Sequence, residues 1–296
     1  MLPVYYSLNE YLTDRFGEKV YKLSLDGGMT CPNRDGKIST GGCIFCSRGG
    51  SGDFAERKCE SVDIQIERAK RRVRGKYKGN KFIAYFQNYT NTYGEIDYLE
   101  NLFSQAIQNE TIVALSIGTR PDCLGEDVIS LLSRLNQIKP VFVELGLQTI
   151  HEDTAKLINR GYSLDTFNNA VKDLKAIGVN VVVHLILGLP YENEEMILES
   201  VDYVCKTGVD GIKLQLLHVL KDTKLEEMYK NGEFEVLGKN EYIDLLLKCI
   251  NIIPNNIVIH RLTGDAPKNI LVAPLWSADK KDVLNSINRE LRKLSN

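Results

Sequence analysis

Short, almost continuously apolar runs alternate with amphipathic stretches through most of this chain. The runs are Val20–Leu25, Phe82–Gln87, Ile112–Ile117, Val141–Leu147, Val179–Leu187 and Gly211–Leu217, rich in branched residues. Continuous apolarity over so few residues predicts parallel strands covered on both faces. Between them, apolar residues recur three and four apart, the spacing of a helix with one buried face. One stripe is Ile96, Leu99, Phe103, Ala106 and Ile107; a second is Val128, Leu131, Leu132, Leu135 and Ile138. A third is Phe167, Ala170, Val171, Leu174 and Ile177, with Ser163 as its expected N-cap and Gly178 as its stop. Asn193 is expected to cap the next helix and Gly208 to end it.

Repeated strand–helix units imply right-handed crossovers and a parallel sheet. Six such units predict an α/β protein built as an incomplete (β/α)6 TIM-like barrel, with a doubly wound sheet as the alternative. Either way, ligands gather at the C-terminal ends of the strands. Residues 1–220 read as the barrel with an N-terminal loop, and 221–296 as a short α/β extension that closes it. In that extension Leu225–Tyr229 and Tyr242–Ile253 read as helical, Ile257–Leu262 as strand-like and Asp282–Leu294 as an amphipathic helix.

Composition narrows the class. A formal net charge of −2 gives no global sign of a polyanion binder. There is no apolar run long enough to span a membrane, and Met1–Tyr6 lacks the layout of a signal peptide. The expectation is a cytoplasmic protein in a reducing compartment. Seven cysteines in 296 residues are too sparse, and odd in number, for a disulfide framework.

Three of those cysteines carry the strongest chemical signal. They stand as Cys31-x11-Cys43-x2-Cys46 behind the first strand, flanked by Gly41-Gly42 and Gly49-Gly50. Structural clusters and structural zinc normally take four protein ligands. Three clustered thiols without a fourth therefore suit a 4Fe–4S cluster with one iron open for chemistry. A thioredoxin-like pair would leave Cys31 unexplained. A zinc site would need a histidine, and all four lie far downstream. Cys59 is a lesser ligand candidate; Cys123, Cys205 and Cys249 read as ordinary buried thiols.

Polar residues also collect where each strand should finish. They include Gln87-Asn88-Tyr89-Thr90-Asn91-Thr92-Tyr93, then Gly118-Thr119-Arg120-Pro121-Asp122. Glu144 and Gln148 follow, then His184 with Leu187-Gly188-Leu189-Pro190, and His218. Singly, each has an ordinary reading as a turn residue, an ion pair or a buried histidine. Repeated around one end of a barrel, they predict a site. Lys70, Arg71, Arg72, Arg74, Lys76, Lys78 and Lys81, with Tyr77 among them, read equally as a phosphate-neutralising patch or a solvated helix face. His260–Asp265 reads either as a substrate-touching closure of the barrel's open side or as a strand and turn.

Cys43-Ile44-Phe45-Cys46 in a loop after the first strand, followed by this strand–helix series, resembles the radical S-adenosylmethionine superfamily. The first gap of eleven residues resembles the branch that contains the catalytic subunit of Elongator, without its acetyltransferase domain. Further matches are Thr119–Asp122, Glu144–Thr149, Asn159-Arg160-Gly161-Tyr162 and Leu185–Pro190. A compact bacterial family is closer still, sharing Gly42–Cys46, Gly50–Phe54, Tyr85–Gln87, Tyr89–Tyr93, Gly118–Leu124 and Ala273-Pro274-Leu275-Trp276.

The resemblance implies roles. Cys31, Cys43 and Cys46 ligate three irons, and the open iron chelates the methionine part of S-adenosylmethionine. Phe45 packs near adenine. Gln87 and Asn88 occupy the position of a Gly-Gly-Glu motif that this chain lacks. Arg120 or Arg160 pairs with the carboxylate, where a guanidinium fork suits bidentate contact. Glu144 and Gln148 meet ribose or sulfonium, the backbone of Leu187-Gly188 meets adenine, and His184 and His218 border it. One electron, from a flavodoxin- or ferredoxin-type donor, cleaves the cosubstrate, and a 5′-deoxyadenosyl radical abstracts hydrogen from the substrate. Likeness to the Elongator branch implies tRNA, modified at the C5 side chain of its wobble uridine. A small metabolite or a peptide is the alternative substrate, and a metal-stabilised RNA-binding module is the alternative without catalysis. Arg261, beyond the sixth strand, is the residue expected to touch substrate.

Overall fold

The computed structural model describes residues 5–50, 52, 55–56 and 61–294. Cys59 lies outside them, as does part of the Gly50–Phe54 segment. The six expected strands all form: β1 (Tyr21–Leu25), β2 (Phe82–Phe86), β3 (Ile112–Thr119), β4 (Val141–Gln148), β5 (Asn180–Leu187) and β6 (Gly211–Leu216). Beyond β6 come a two-residue strand β7 (Val219–Leu220), then β8 (Val258–Arg261) and β9 (Leu271–Ala273). The main sheet runs β1-β2-β3-β4-β5-β6-β8, every pair parallel. It is an incomplete barrel with one strand more than the six expected, because Val258–Arg261 pairs beside β6. β7 and β9 form a separate antiparallel ribbon.

Helices are α1 (Leu8–Phe16), α2 (Val62–Val73), α3 (Ile96–Gln108), α4 (Glu126–Ile138), α5 (Glu152–Leu157), α6 (Leu164–Ala176), α7 (Glu194–Lys206), α8 (Lys224–Lys230), α9 (Lys239–Ile252) and α10 (Lys280–Leu294). The expected caps are present: Ser163 accepts from the Thr166 amide and Asn193 from the Met196 amide. α1 was not expected. It opens with a capping box, in which the Ser7 and Glu10 side chains satisfy each other's backbone amides.

Strand alternation sorts the barrel interior into layers. Outward residues such as Leu23, Ala84, Leu115, Val143, Val183 and Ile212 join the main core under the helices. The lowest inward residues are Val20, Ile83, Ala114, Phe142 and Val182, plugged by Leu12 of α1. One strand step up, two residues on, the inward positions are polar: Lys22, Tyr85, Ser116, Glu144, His184 and Lys213. A further step brings Ser24, Gln87, Gly118, Gly146, Ile186 and Gln215, which line an open cavity at the C-terminal ends of the strands.

Candidate active site

That cavity holds about 830 Å³ and is bordered by Cys31, Cys43 and Cys46. The cysteine loop has no regular secondary structure; turns of its own, such as Arg34 amide to Cys31 carbonyl and Gly42 amide to Asn33 carbonyl, are joined by hydrogen bonds to the turn after α5. Asn159 donates to the Gly42 carbonyl at 2.9 Å and to Ser39 Oγ at 3.1 Å. Asn33 donates in return to the Asn159 carbonyl and lies 3.6 Å from Cys43 Sγ. Gly161 adopts φ +78, and a Cβ there would stand 2.8 Å from Asn33 Oδ1, so the close approach of turn and loop needs glycine. On the other flank Arg34 donates to the carbonyls of Cys46 at 3.0 Å and Ser47 at 2.5 Å, and lies over the Tyr89 ring. Burial, with Cys46 adding to it, pushes the Cys43 thiol up to about 12.

Among the described residues no three His, Cys, Asp or Glu side chains converge as ligands of a single ion. An iron–sulfur cube is larger than an ion and takes each cysteine on a different iron, so its ligands stand apart. Other features fit a polar cofactor beside it. Gln148 Oε1, Thr90 Oγ1 and His218 Nε2 are buried without a protein partner in residues that line the cavity. Gln148 is held in the left-handed region at φ 72. The three thiols and these orphaned atoms suit a 4Fe–4S cluster with S-adenosylmethionine.

The structure distributes the other expected residues unevenly. Phe45, Gln87, Arg120, Glu144, Gln148, Arg160, His184, His218 and Arg261 line the cavity. Asn88, Leu187 and Gly188 do not: Asn88 and Leu187 fall one residue out of phase with Gln87 and Ile186, with Leu187 in the outer core, and Gly188 lies just past the end of β5 at φ +88. Neither arginine has a free fork. Arg120 grips Asp122 with two bonds of 2.9 and 2.7 Å and donates to the Arg160 carbonyl. Arg160, 1% exposed, donates to the carbonyls of Thr149 and Tyr162 and to Glu152. Both guanidiniums flank Tyr162, at 5.0 and 4.7 Å from its ring. They brace the turn that holds the cysteine loop.

Glu144 is 1% exposed and fully engaged. It accepts from Lys22 at 2.6 Å, from Ser116 at 2.6 Å, from His184 at 2.9 Å and from Lys213. Burial opposes its ionisation, but Lys213 and Lys22 outweigh burial and hold the carboxyl well below its ordinary range. Burial, with Lys213 behind it, pushes His184 down to about 4, so it is neutral at pH 7. Burial likewise pushes His218 down to about 4. Lys22 and Lys213 were not singled out from the sequence. Their signal was a lysine at an inward position of a short, mostly apolar strand.

The comparisons with known proteins agree with this geometry. Residues 35–204, more than half of the chain, match the radical SAM superfamily, and 209–293 match the radical SAM C-terminal domain. The chain belongs to the radical SAM superfamily. Uncharacterized protein YtqA of Bacillus subtilis is 43% identical over 97% of this chain and 89% of its own length. Protein YhcC of Escherichia coli is 36% identical over 95% of this chain and 90% of its own. The solved archaeal Elp3 of Methanocaldococcus infernus shares the fold at a TM-score of 0.69 and 21% identity, over 93% of this chain. The radical SAM chain spans 63% of that structure. As a radical SAM enzyme it uses a 4Fe–4S cluster and S-adenosylmethionine. No helix among the described residues is long and apolar enough to cross a membrane.

Proposed function

We propose that this radical SAM enzyme modifies the C5 side chain of a wobble uridine in tRNA. Cys31, Cys43 and Cys46 hold the cluster, and Gln148, Thr90 and His218 meet the cosubstrate. The bound pair supplies one-electron chemistry able to open an unactivated carbon–hydrogen bond. The chain's own residues orient and shield: α1 and the apolar floor seal the barrel from below, and the Asn159–Tyr162 turn fixes the cluster loop. A flavodoxin- or ferredoxin-type protein is the expected electron donor, and the cytoplasm the expected compartment.

The observation that carries the RNA reading is similarity. The tRNA uridine(34) acetyltransferase of Methanocaldococcus jannaschii is 32% identical over 54% of this chain, although that stretch is only 30% of the relative. The shape of the rim supports it. The cavity opens beside α2, where Arg72 and Lys76 line it, and across from Arg261 and Lys280. Exposed Arg71, Arg74 and Lys78 continue the basic edge from Arg72 and Lys76. Tyr77 is not part of it: it is 8% exposed, stacked on Tyr21, and donates to the Lys19 carbonyl. Arg261 pairs with Asp265 at 3.1 Å while still lining the cavity, so the ion pair itself stands at the proposed substrate entrance.

The test compares tRNA nucleosides from a deletion strain, wild type and a complemented strain by mass spectrometry. One C5-substituted wobble uridine should be replaced by a less mature form and restored on complementation. An unchanged nucleoside profile would favour a metabolite or peptide substrate.

A further inference from the structure

The polar belt beneath the cavity carries more positive than negative charge. Two ammonium groups, Lys22 and Lys213, meet one carboxylate, Glu144, which both contact. The remaining belt groups bring no second anion. Tyr85 and His184 are neutral, held so by burial. His260 is also neutral, since burial and then Lys22 keep it from protonating. Ser116 gives its hydroxyl hydrogen to Glu144. Arg261 already has Asp265, which Lys280 shares, so that neighbourhood adds no spare carboxylate. An uncompensated ammonium is expensive to bury, and Lys213 is only 5% exposed. The surplus has a plain consequence: burial, reinforced by Lys22 and Arg261, lowers Lys213 to about 7 despite Glu144, so a second anion beside it would restore its full charge.

The surplus faces the cavity. Lys22, Lys213, Tyr85 and His260 all line it. Both ammonium groups lie over the Tyr85 ring, 4.9 and 4.8 Å from its centroid. Lys213 Nζ is 3.3 Å from the Tyr85 hydroxyl, and His260 Nδ1 is buried with no protein partner. Two lysine donors and an unpartnered ring nitrogen thus face one end of the open cavity.

We propose that this end of the cavity binds a carboxylate carried by the substrate, held between Lys22 and Lys213 with His260 as a further donor. The anion completes the charge balance that Glu144 leaves half made, and it fixes the reacting side chain beneath the cysteine loop. A substrate whose side chain ends in a neutral group leaves the second ammonium unpaired and is rejected on that ground. The proposal rests on this cavity being the substrate site and not on the substrate being RNA.

The experiment therefore uses a probe without RNA. Cluster-loaded protein is titrated with 13C-acetate, and with acetamide as the neutral isostere, at fixed ionic strength, with and without S-adenosylmethionine. Wild type should bind acetate saturably at one site and acetamide at least tenfold more weakly. Lys22→Met and Lys213→Met should each weaken acetate at least tenfold without lowering the melting temperature. S-adenosylmethionine should leave acetate binding unchanged. Displacement of acetate by S-adenosylmethionine would assign the carboxylate to the cosubstrate and overturn the proposal. Equal binding of acetate and acetamide, or wild-type acetate binding in a folded lysine variant, would also overturn it. Should Lys213→Met fail to fold, Lys22→Met carries the test; failure of both to fold would make the lysines structural counter-charges and sink the idea. An altered tRNA profile with no acetate site, or the reverse, separates this proposal from the RNA reading.

Discussion

The cysteine loop and the polar belt serve one cavity but are held in opposite ways. The loop has no ladder of its own. Its geometry rests on its own Asn33 and Arg34 side chains and on bonds borrowed from Asn159. The belt is fixed by the sheet: Lys22, Tyr85, Ser116, Glu144, His184 and Lys213 come from β1 through β6, one residue from each strand. A loop admits a large inorganic group and can adjust around it. A belt on paired strands fixes charges that would otherwise repel or be solvated. Loss of a loop residue should therefore alter cofactor retention first, and loss of Glu144, the one carboxylate of the belt, stability first.

The sharpest break comes at the loop. Cys31→Ala, Cys43→Ala or Cys46→Ala should each reduce cosubstrate cleavage to background and lower bound iron after anaerobic reconstitution, whereas Cys59→Ala should do neither. Retained cleavage in any of the three would remove that residue from the ligand set.

At the belt the largest effect should come from Glu144→Gln. It leaves two buried ammonium groups with no counter-charge, a loss of about 3–5 kcal/mol. Urea unfolding measures it. A change below about 1 kcal/mol would mean that the lysines simply deprotonate, as the downward shift of Lys213 allows.

Acid should undo the belt in a definite order. His184 is held at about 4, below its unfolded value, so its contribution is present above pH ~6.5 and lost as pH falls toward 4. The carboxyl of Glu144 is held lower still, so its share is present above pH ~4.3 and lost only below that. His184→Gln should flatten the stability curve between pH 6.5 and 4 by up to about 1.4 kcal/mol per pH unit. An identical slope in the variant would show that His184 does not titrate with unfolding.

Asn159→Ala should act more gently and on the other region. It removes the bonds to Gly42 and Ser39, about 1–2 kcal/mol together, and places alanine at φ 56. Iron release to a chelator should quicken several-fold while the urea midpoint moves little. The smallest effect belongs to the rim, where Arg71→Glu with Arg74→Glu should weaken tRNA binding and flatten its salt dependence by about one unit of slope per lost phosphate contact. Unchanged binding would return this edge to a solvated helix face.

Much of this was written in the order of residues. Apolar runs of strand length set the six parallel strands, because a strand covered on both faces cannot carry many polar residues. Ser163 and Asn193 marked helix starts because their side chains satisfy amides that a helix leaves open. Cys31, Cys43 and Cys46 marked the cofactor because only spacing is needed to put three thiols on one loop. Other features belonged to the tertiary structure alone. Val258–Arg261 is too short a run to declare which strand it joins, and only pairing beside β6 made it the seventh. Asn88 looked like a site residue beside Gln87, but an extended chain turns alternate side chains away. Arg120 and Arg160 looked like ligand-binding forks, yet Asp122, Glu152 and backbone carbonyls from distant turns had already filled them. Lys22 and Glu144 stand 122 positions apart, and no local pattern ties one to the other. Their contact follows from the barrel's curvature and stagger, which bring inward residues of non-adjacent strands to one level, where charge must be balanced across the interior.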